Sequence, residues 1–302
     1  MSANSNIRKI EVCLRGGIGN QLFQYFAGQD LSIREQCAVQ FDDSLILNRK
    51  VENSSIHLLN TIGEFHTLKI NSFLARIFRY TDAFQFRSQY LNRFLSVMTH
   101  RFVIKEVGFS EEIFRYKPNY KLIGYFQSWK HYDFVSKNME VDLLKPFEAF
   151  TEKFLSKEGV DRSSDIAIHV RRGDYVLLQD TFGLLNKDYY RDALSALGYD
   201  AETDKIWVFT DATEEQVSQI LNLSEMKVQI LGPSEEYSDV EHLALMAKFR
   251  RIVIANSSYS WWAAVLSHEK PRVAAPQNWY KAMKRPNDLI PDDWIQVKNN
   301  WL

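Results

Sequence analysis

Ile166-Ala167-Ile168-His169-Val170-Arg171-Arg172-Gly173-Asp174-Tyr175 is the stretch on which the fold turns. An apolar alternating run, the pattern of a buried strand, ends abruptly in two arginines, a glycine and an aspartate. Open α/β sheets bind their ligands in the crevice beyond the carboxyl ends of their strands, which is where this pattern puts the two guanidiniums. Each guanidinium is a planar fork of donors suited to phosphate oxygens, so the first expectation is a phosphate-bearing ligand. Taken alone, Arg172 with Asp174 reads equally as a surface ion pair, and His169 as a core histidine. The neighbouring segments decide between these readings.

Downstream, apolar runs at 165–171, 205–210, 227–231, 251–255 and 272–275 predict strands. Stretches at 187–197, 213–221, 240–249 and 259–267 predict the helices between them. A βαβαβαβ series with short loops is the signature of a parallel sheet covered on both faces. Upstream, 9–14 alternates like a short strand, Arg15-Gly16-Gly17-Ile18-Gly19-Asn20 follows as a turn, and 21–36 has helical spacing before a second strand at 38–41. A strand is expected at 121–126 and a helix from Ser128, while 51–115 holds Phe- and Arg-rich segments compatible with amphipathic helices and loops. The polar stretch 146–164 marks the division. The expected organisation is α/β, with domains 1–150 and 151–302 both Rossmann-like and facing across a cleft.

Three further constellations carry chemistry. In Gly16-Gly17-Ile18-Gly19-Asn20-Gln21, glycines between strand and helix permit a sharp turn and a close approach of amides to a ligand. Gly17, Gly19, Asn20 and Gln21 are therefore candidate ligand-binding residues, against the alternative of a turn alone. The spacing departs from G-x-G-x-x-G, and no acidic residue is placed to hold an adenosine ribose, which disfavours a dehydrogenase. In Phe209-Thr210-Asp211, two readings of Asp211 stand open: cap of the next helix, or acceptor for a base, ribose or sugar hydroxyl. In Asn256-Ser257-Ser258-Tyr259-Ser260-Trp261-Trp262, small hydroxyls at a helix start form a ready anion site, while the two tryptophans read first as core, with one ring, Trp261, a candidate for the cleft wall.

Composition bounds the remaining classes. A formal net charge of −1 gives no electrostatic case for nucleic acid as a partner. Two cysteines are too few for a disulfide scaffold and read as buried thiols in a reducing compartment. The amino terminus has no apolar core of a signal peptide, and no run approaches the length of a membrane span. A cytoplasmic protein is expected, with peripheral attachment at the inner membrane left open. No D-x-D, zinc spacing, G-x-S-x-G or phosphate-binding P-loop occurs, so a bound diphosphate must be neutralised by arginines and helix amides with no metal.

Taken together, R-G-G-I-G-N-Q-L-F-Q-Y, H-V-R-R-G-D-Y and A-N-S-S-Y-S-W-W-A-A resemble the α-1,2-fucosyltransferases of glycosyltransferase family 11. The blocks occur in the family's order, the strand ending in F-T-D and the segment G-Y-F-Q-S-W at 124–129 are similar too, and the resemblance spans essentially the whole chain. It implies a GT-B-like fold and metal-independent, inverting transfer of fucose from GDP-β-L-fucose to a galactose 2-hydroxyl of an acceptor glycan, in the manner of bacterial O-antigen or oligosaccharide synthesis. It further implies that Arg171 contacts the donor diphosphate and that Arg172 and Asp174 are donor-site or scaffold residues. His169 would be a donor or supporting contact, Ser257, Ser258 and the adjoining Asn256 would line the phosphate, and Asp211 would help hold the nucleotide. The loop 16–21 would line the cleft. The base that takes the acceptor proton is unassigned among Asp174, Asp180, Asp42 and Glu64. Rival expectations are another linkage or GDP-sugar, and a GDP-sugar-binding protein without turnover.

Overall fold

The computed structural model describes residues 9–42, 102–104, 107–114, 120–233 and 236–302. Glu64 and most of the stretch 51–115, with its expected helices, lie outside the described residues. The chain divides into two compact units, residues 1–141 with 286–289, and residues 142–285 with 290–302. The division therefore falls before, not after, residue 150, because the polar stretch read as a linker folds as a helix belonging to the second unit.

The first unit is built on β1 (Lys9–Cys13), α1 (Ile18–Glu35), β2 (Ala38–Asp42), β3 (Phe102–Ile104), β4 (Tyr120–Leu122) and α2 (Trp129–Asn138). Its four strands are parallel in the order β2-β1-β4-β3, with Lys9 opposite Ala38 and Ile10 opposite Tyr120. Helix α1 starts at Ile18, three residues before its apolar spacing suggests, because the extended Gly17 caps it without using a side chain. It buries Leu22, Phe23 and Phe26 and meets α2 where Phe26 packs edge-on to Tyr132 at 5.0 Å. A buried pair, Asp30 with His131 Nδ1 at 2.8 Å, joins the same two helices, and Arg34 completes the Asp30 carboxylate. The strand expected at 121–126 runs only from Tyr120 to Leu122, where its pairing with β1 and β3 stops.

The second unit comprises α3 (Glu148–Glu158), β5 (Ile166–Val170), α4 (Gln179–Phe182), α5 (Lys187–Ala196), β6 (Ile206–Thr210), α6 (Glu214–Ser218), β7 (Val228–Leu231), α7 (Asp239–Met246), β8 (Arg251–Val253), α8 (Ser258–Val265), β9 (Arg272–Pro276) and β10 (Ile295–Val297). All six strands are parallel in the order β10-β9-β8-β5-β6-β7. This is the doubly wound order in which the first and fourth strands of the unit lie side by side and the winding reverses between them. Every residue of β5 is buried, as the apolar run requires for the centre of a two-sided sheet. Ile166, Ile168, Val170, Val208, Tyr189 and Leu194 join one core cluster. Among the described residues no helix is long and apolar enough to cross a membrane.

Candidate functional site

The winding reversal puts two loops at one crevice: the one after β5, which carries Arg171 to Tyr175, and the one after β8, which carries Asn256 to Ser258. A hydrogen bond from the Tyr175 hydroxyl to the Asn256 carbonyl, 3.1 Å, ties them together. Arg171 is the hub. One terminal nitrogen lies 2.6 Å from Asp211 Oδ2, the other 2.6 Å from Asp174 Oδ1, and the guanidinium carbon stands 5.2 Å from the centre of the Tyr175 ring. Its Nε is buried with no hydrogen-bond partner. Burial works against the Arg171 charge, but Asp211 and Asp174 outweigh it and hold the pKa above its usual value. The result is a permanent cation, oriented from two sides, with a donor left over.

Of the two readings of Asp211, the helix cap does not hold. Thr213 caps α6, in a reciprocal box with Gln216, so Asp211 is no cap. Its carboxylate accepts the Arg172 backbone N–H at 2.7 Å and braces Arg171. Gly173 makes that brace feasible. Its φ of 23° suits glycine, and a Cβ there would collide with the Asp211 carboxylate.

Three candidates turn away from the crevice. The Arg172 guanidinium is buried and donates to the carbonyls of Arg171 (3.0 Å) and Leu185 (2.8 Å). Its fork fastens two loops of its own unit, so its place is structural. The backbone leaves extended geometry after Val170, with Arg172 at φ −128° and ψ −76°, and this turns the two guanidiniums to different sides. The Asn256 side-chain amide donates to the Phe182 (2.9 Å) and Trp279 (3.2 Å) carbonyls and is likewise buried in its loop. Trp261 is fully buried, its ring 4.8 Å from Trp262 and 5.8 Å from Trp294, and belongs to the core.

His169, Ser257 and Ser258 stay near the crevice. Ser257 caps α8, its hydroxyl accepting the Tyr259 N–H at 3.4 Å, and Ser258 is the first helical residue. The His169 ring lies 5.4 Å from that of Tyr259, and its Nδ1 is buried without a partner. Burial, assisted by the Arg171 charge, pushes the His169 pKa down to about 3, so the imidazole is neutral at physiological pH and is no proton store. A fixed guanidinium and the amino end of a helix beside a neutral ring are the chemistry that suits a phosphate-bearing group.

The glycine loop of the first unit is organised differently. Gly16 takes a φ of 75°, and a Cβ there would stand 2.7 Å from the Asn20 side chain. Gln21 Nε2 donates to the Gly16 carbonyl at 2.7 Å, and Asn20 Oδ1 accepts from Gln127 Nε2 at 3.0 Å. Gly17 is exposed at the helix cap, and Gly19 is buried inside the first turn of α1. Gln24, which the sequence reading passed over, holds the loop: Oε1 accepts the Arg15 N–H at 2.9 Å, and Nε2 donates to the carbonyls of Gly124 (2.9 Å) and Arg15 (3.3 Å). The clue available in the sequence was a glutamine amid the apolar face of α1, where a buried amide must find partners.

Among the candidates for a base, Asp42 is fully buried and accepts from Cys13 Sγ at 3.7 Å, whereas Asp180 is fully exposed beside Lys281. Asp174 is ion-paired to Arg171. Among the described residues, Glu11, Cys13 and Asp42 form a group of metal-competent side chains, with ligand atoms within 4.8 Å of one another, in the first unit. The Cys13–Asp42 hydrogen bond accounts for two of the three without an ion.

A family model described as glycosyl transferase family 11 matches residues 9–298. The chain is 27% identical to the O-antigen biosynthesis glycosyltransferase WbnK of Escherichia coli, over 94% of this chain and 99% of that one. It is 25% identical to an α-1,2-colitosyltransferase of Escherichia coli, over 94% of this chain and 97% of that one. Among solved structures it resembles a mutant of Arabidopsis thaliana FUT1 in complex with GDP, with a TM-score of 0.52 and 10% identity, over 98% of this chain and 75% of that one. At that identity the likeness speaks for the fold alone, which is GT-B-like α/β.

Proposed function

Since the chain belongs to glycosyl transferase family 11, a family of glycosyltransferases, we propose that it transfers L-fucose from GDP-β-L-fucose to the 2-hydroxyl of a galactose-terminated acceptor glycan, with inversion and without a metal. The observation that carries this reading is Arg171: a cation fixed by Asp211 and Asp174 at the winding reversal of a doubly wound sheet, with a buried N–H still unpartnered. In the reaction the bond between the sugar C1 and the diphosphate oxygen breaks with both electrons leaving on GDP. The acceptor oxygen forms its bond to C1 from the opposite face and gives up its proton. Negative charge therefore grows on the diphosphate in the transition state, and preorganised donors aimed there lower the barrier most. Arg171 supplies the largest share and the amides of the α8 start, beside Ser257 and Ser258, a smaller one. Asp211 acts through Arg171, fixing its orientation. His169 stays uncharged, so it adds no cation that would compete with Arg171 for position.

The acceptor proton passes to water or to a base that this reading leaves unassigned, and the unit of residues 142–285 and 290–302 is the donor-binding half. The two buried cysteines, not joined in a disulfide, suit a reducing, cytoplasmic setting. A second donor follows from one similarity: the α-1,2-colitosyltransferase makes colitose the sugar to test beside fucose.

The test is GDP release from GDP-fucose with and without lactose, repeated in EDTA and against GDP-colitose. Acceptor-dependent release that survives EDTA, with an α-1,2 linkage in the product, supports the proposal. Preference for GDP-colitose would move the donor assignment. GDP-fucose binding without release to any β-galactoside would contradict transfer and leave a binding protein.

A further inference from the structure

The loop that carries Arg171 continues into an apolar tip. Between the 3-10 turn Gly173–Val176 and α4 (Gln179–Phe182), Val176, Leu177 and Leu178 project outward, with Leu177 87% exposed. Five large hydrophobic residues are exposed among the described residues, and three of them are this one run. The tip is not loose backbone: the amides of Val176, Leu177 and Leu178 donate to the carbonyls of Arg172, Asp174 and Tyr175 at 3.1–3.2 Å. The apolar side chains are thus held out on a satisfied turn, at the cost of solvent exposure that a monomer in water gains nothing from.

Beside the tip runs the segment 281–285, Lys281-Ala282-Met283-Lys284-Arg285, three cations without an acid. Its place is fixed by the amides of Lys281 and Ala282, which donate to the Thr181 carbonyl at 3.1 and 3.2 Å. The facing acid, Asp180, lies 3.8 Å from Lys281, and Lys284 is exposed. Arg285 donates to Gln296 at 2.6 Å. Apolar side chains flanked by cations are the composition that enters the boundary between acyl chains and anionic headgroups.

We propose that the tip 176–178, with Lys281 and Lys284, docks the protein on an anionic lipid surface. Size argues against a protein partner or a second copy: a stable protein interface takes about 800 Å² from each side, whereas this is a three-residue knob. A lipid surface needs only a few inserted side chains and nearby positive charge. The proposal goes beyond the transferase reading and does not depend on it. If both hold, the donor arginine works within a few residues of the lipid surface, which fits an acceptor glycan carried on a lipid.

The experiment is co-sedimentation of the full chain with vesicles of phosphatidylcholine alone and with added phosphatidylglycerol, at low and high salt. Leu177→Asp/Leu178→Asp and Lys281→Gln/Lys284→Gln are compared with wild type, with circular dichroism to verify folding and lactose turnover measured in parallel. Wild type should sediment with the anionic vesicles and be released by salt. The leucine variant should bind about tenfold or more weakly, and the lysine variant weaker by about fivefold for each charge removed, both with lactose turnover near wild type. Equal sedimentation of wild type and variants, or no binding to either vesicle, overturns the proposal. So does a folded leucine variant that binds vesicles normally but loses turnover on lactose, which would make the tip a wall of the acceptor site.

Discussion

The two units open with the same device, a buried parallel strand running into a loop, and use it in opposite ways. After β1, the loop closes on itself through neutral amides: Gln24 satisfies Arg15 and Gly124, Gln21 satisfies Gly16, and Asn20 meets Gln127. Its cation, Arg15, lies 5.5 Å from the Tyr125 ring centre. After β5, the loop is charged, and Arg171 Nε within it and His169 Nδ1 in the strand before it are buried without partners. A loop whose buried polar groups are satisfied is a scaffold. Unsatisfied buried donors are expensive unless a ligand completes them, so the second loop is where binding energy is to be gained.

That contrast sets an order of effects. Arg171→Ala should lower turnover about 10²–10³-fold, as expected for removal of one preorganised donor from a charge-building transition state. Steady-state kinetics with GDP-fucose and lactose measures this, and turnover within a few-fold of wild type would remove Arg171 from the mechanism. Arg172→Ala should behave in the opposite manner. It leaves the Leu185 carbonyl without its donor and should lose on the order of 2–4 kcal/mol of stability in urea titrations, with turnover per folded molecule nearly intact. In the neutral loop, Gln24→Ala strands the Arg15 amide and the Gly124 carbonyl and should destabilise by about 1–3 kcal/mol, with no change in GDP affinity.

The smallest effect is a slope. The folded-state pKa of His169 is about 3 against an ordinary 6.5, so below pH 6.5 the unfolded chain takes up a proton that the folded chain refuses. Stability from this group is complete above pH 6.5 and declines toward pH 3, by at most about 1.4 kcal/mol per pH unit. Urea titrations between pH 6.5 and 4.5 should be steeper in pH for wild type than for His169→Asn. Equal slopes would mean that the imidazole is not held neutral.

Much of the second unit was legible because β5, β6, β8 and β9 lie in short, β-branched or aromatic apolar runs, which two-sided burial demands and which are too short for helices. β10 was not, since Ile295-Gln296-Val297 has a polar residue at its centre and no apolar run around it, and pairing with β9 rather than its own pattern makes it a strand. The polar 146–164 hid α3, whose burial of Thr151, Phe154 and Leu155 is a narrow stripe among charges. At the site, the sequence could place two arginines at a strand end but not say which faces out. That choice depends on the backbone after Val170, with Arg172 at φ −128° and ψ −76° and Gly173 left-handed. Asp211 as a brace was illegible for the same reason: its partners, Arg171 and the Arg172 amide, are 39 or more residues away in the chain.

The central claim is that one of the two adjacent arginines is the anion ligand and the other a fastener. Calorimetric titration of GDP into wild type, Arg171→Ala and Arg172→Ala tests it directly. Arg171→Ala should weaken GDP binding by about tenfold or more, the loss expected of a charge-assisted contact of 1.5–3 kcal/mol, while folded Arg172→Ala binds like wild type. Wild-type affinity in Arg171→Ala, or an equal loss in both variants, would contradict the account.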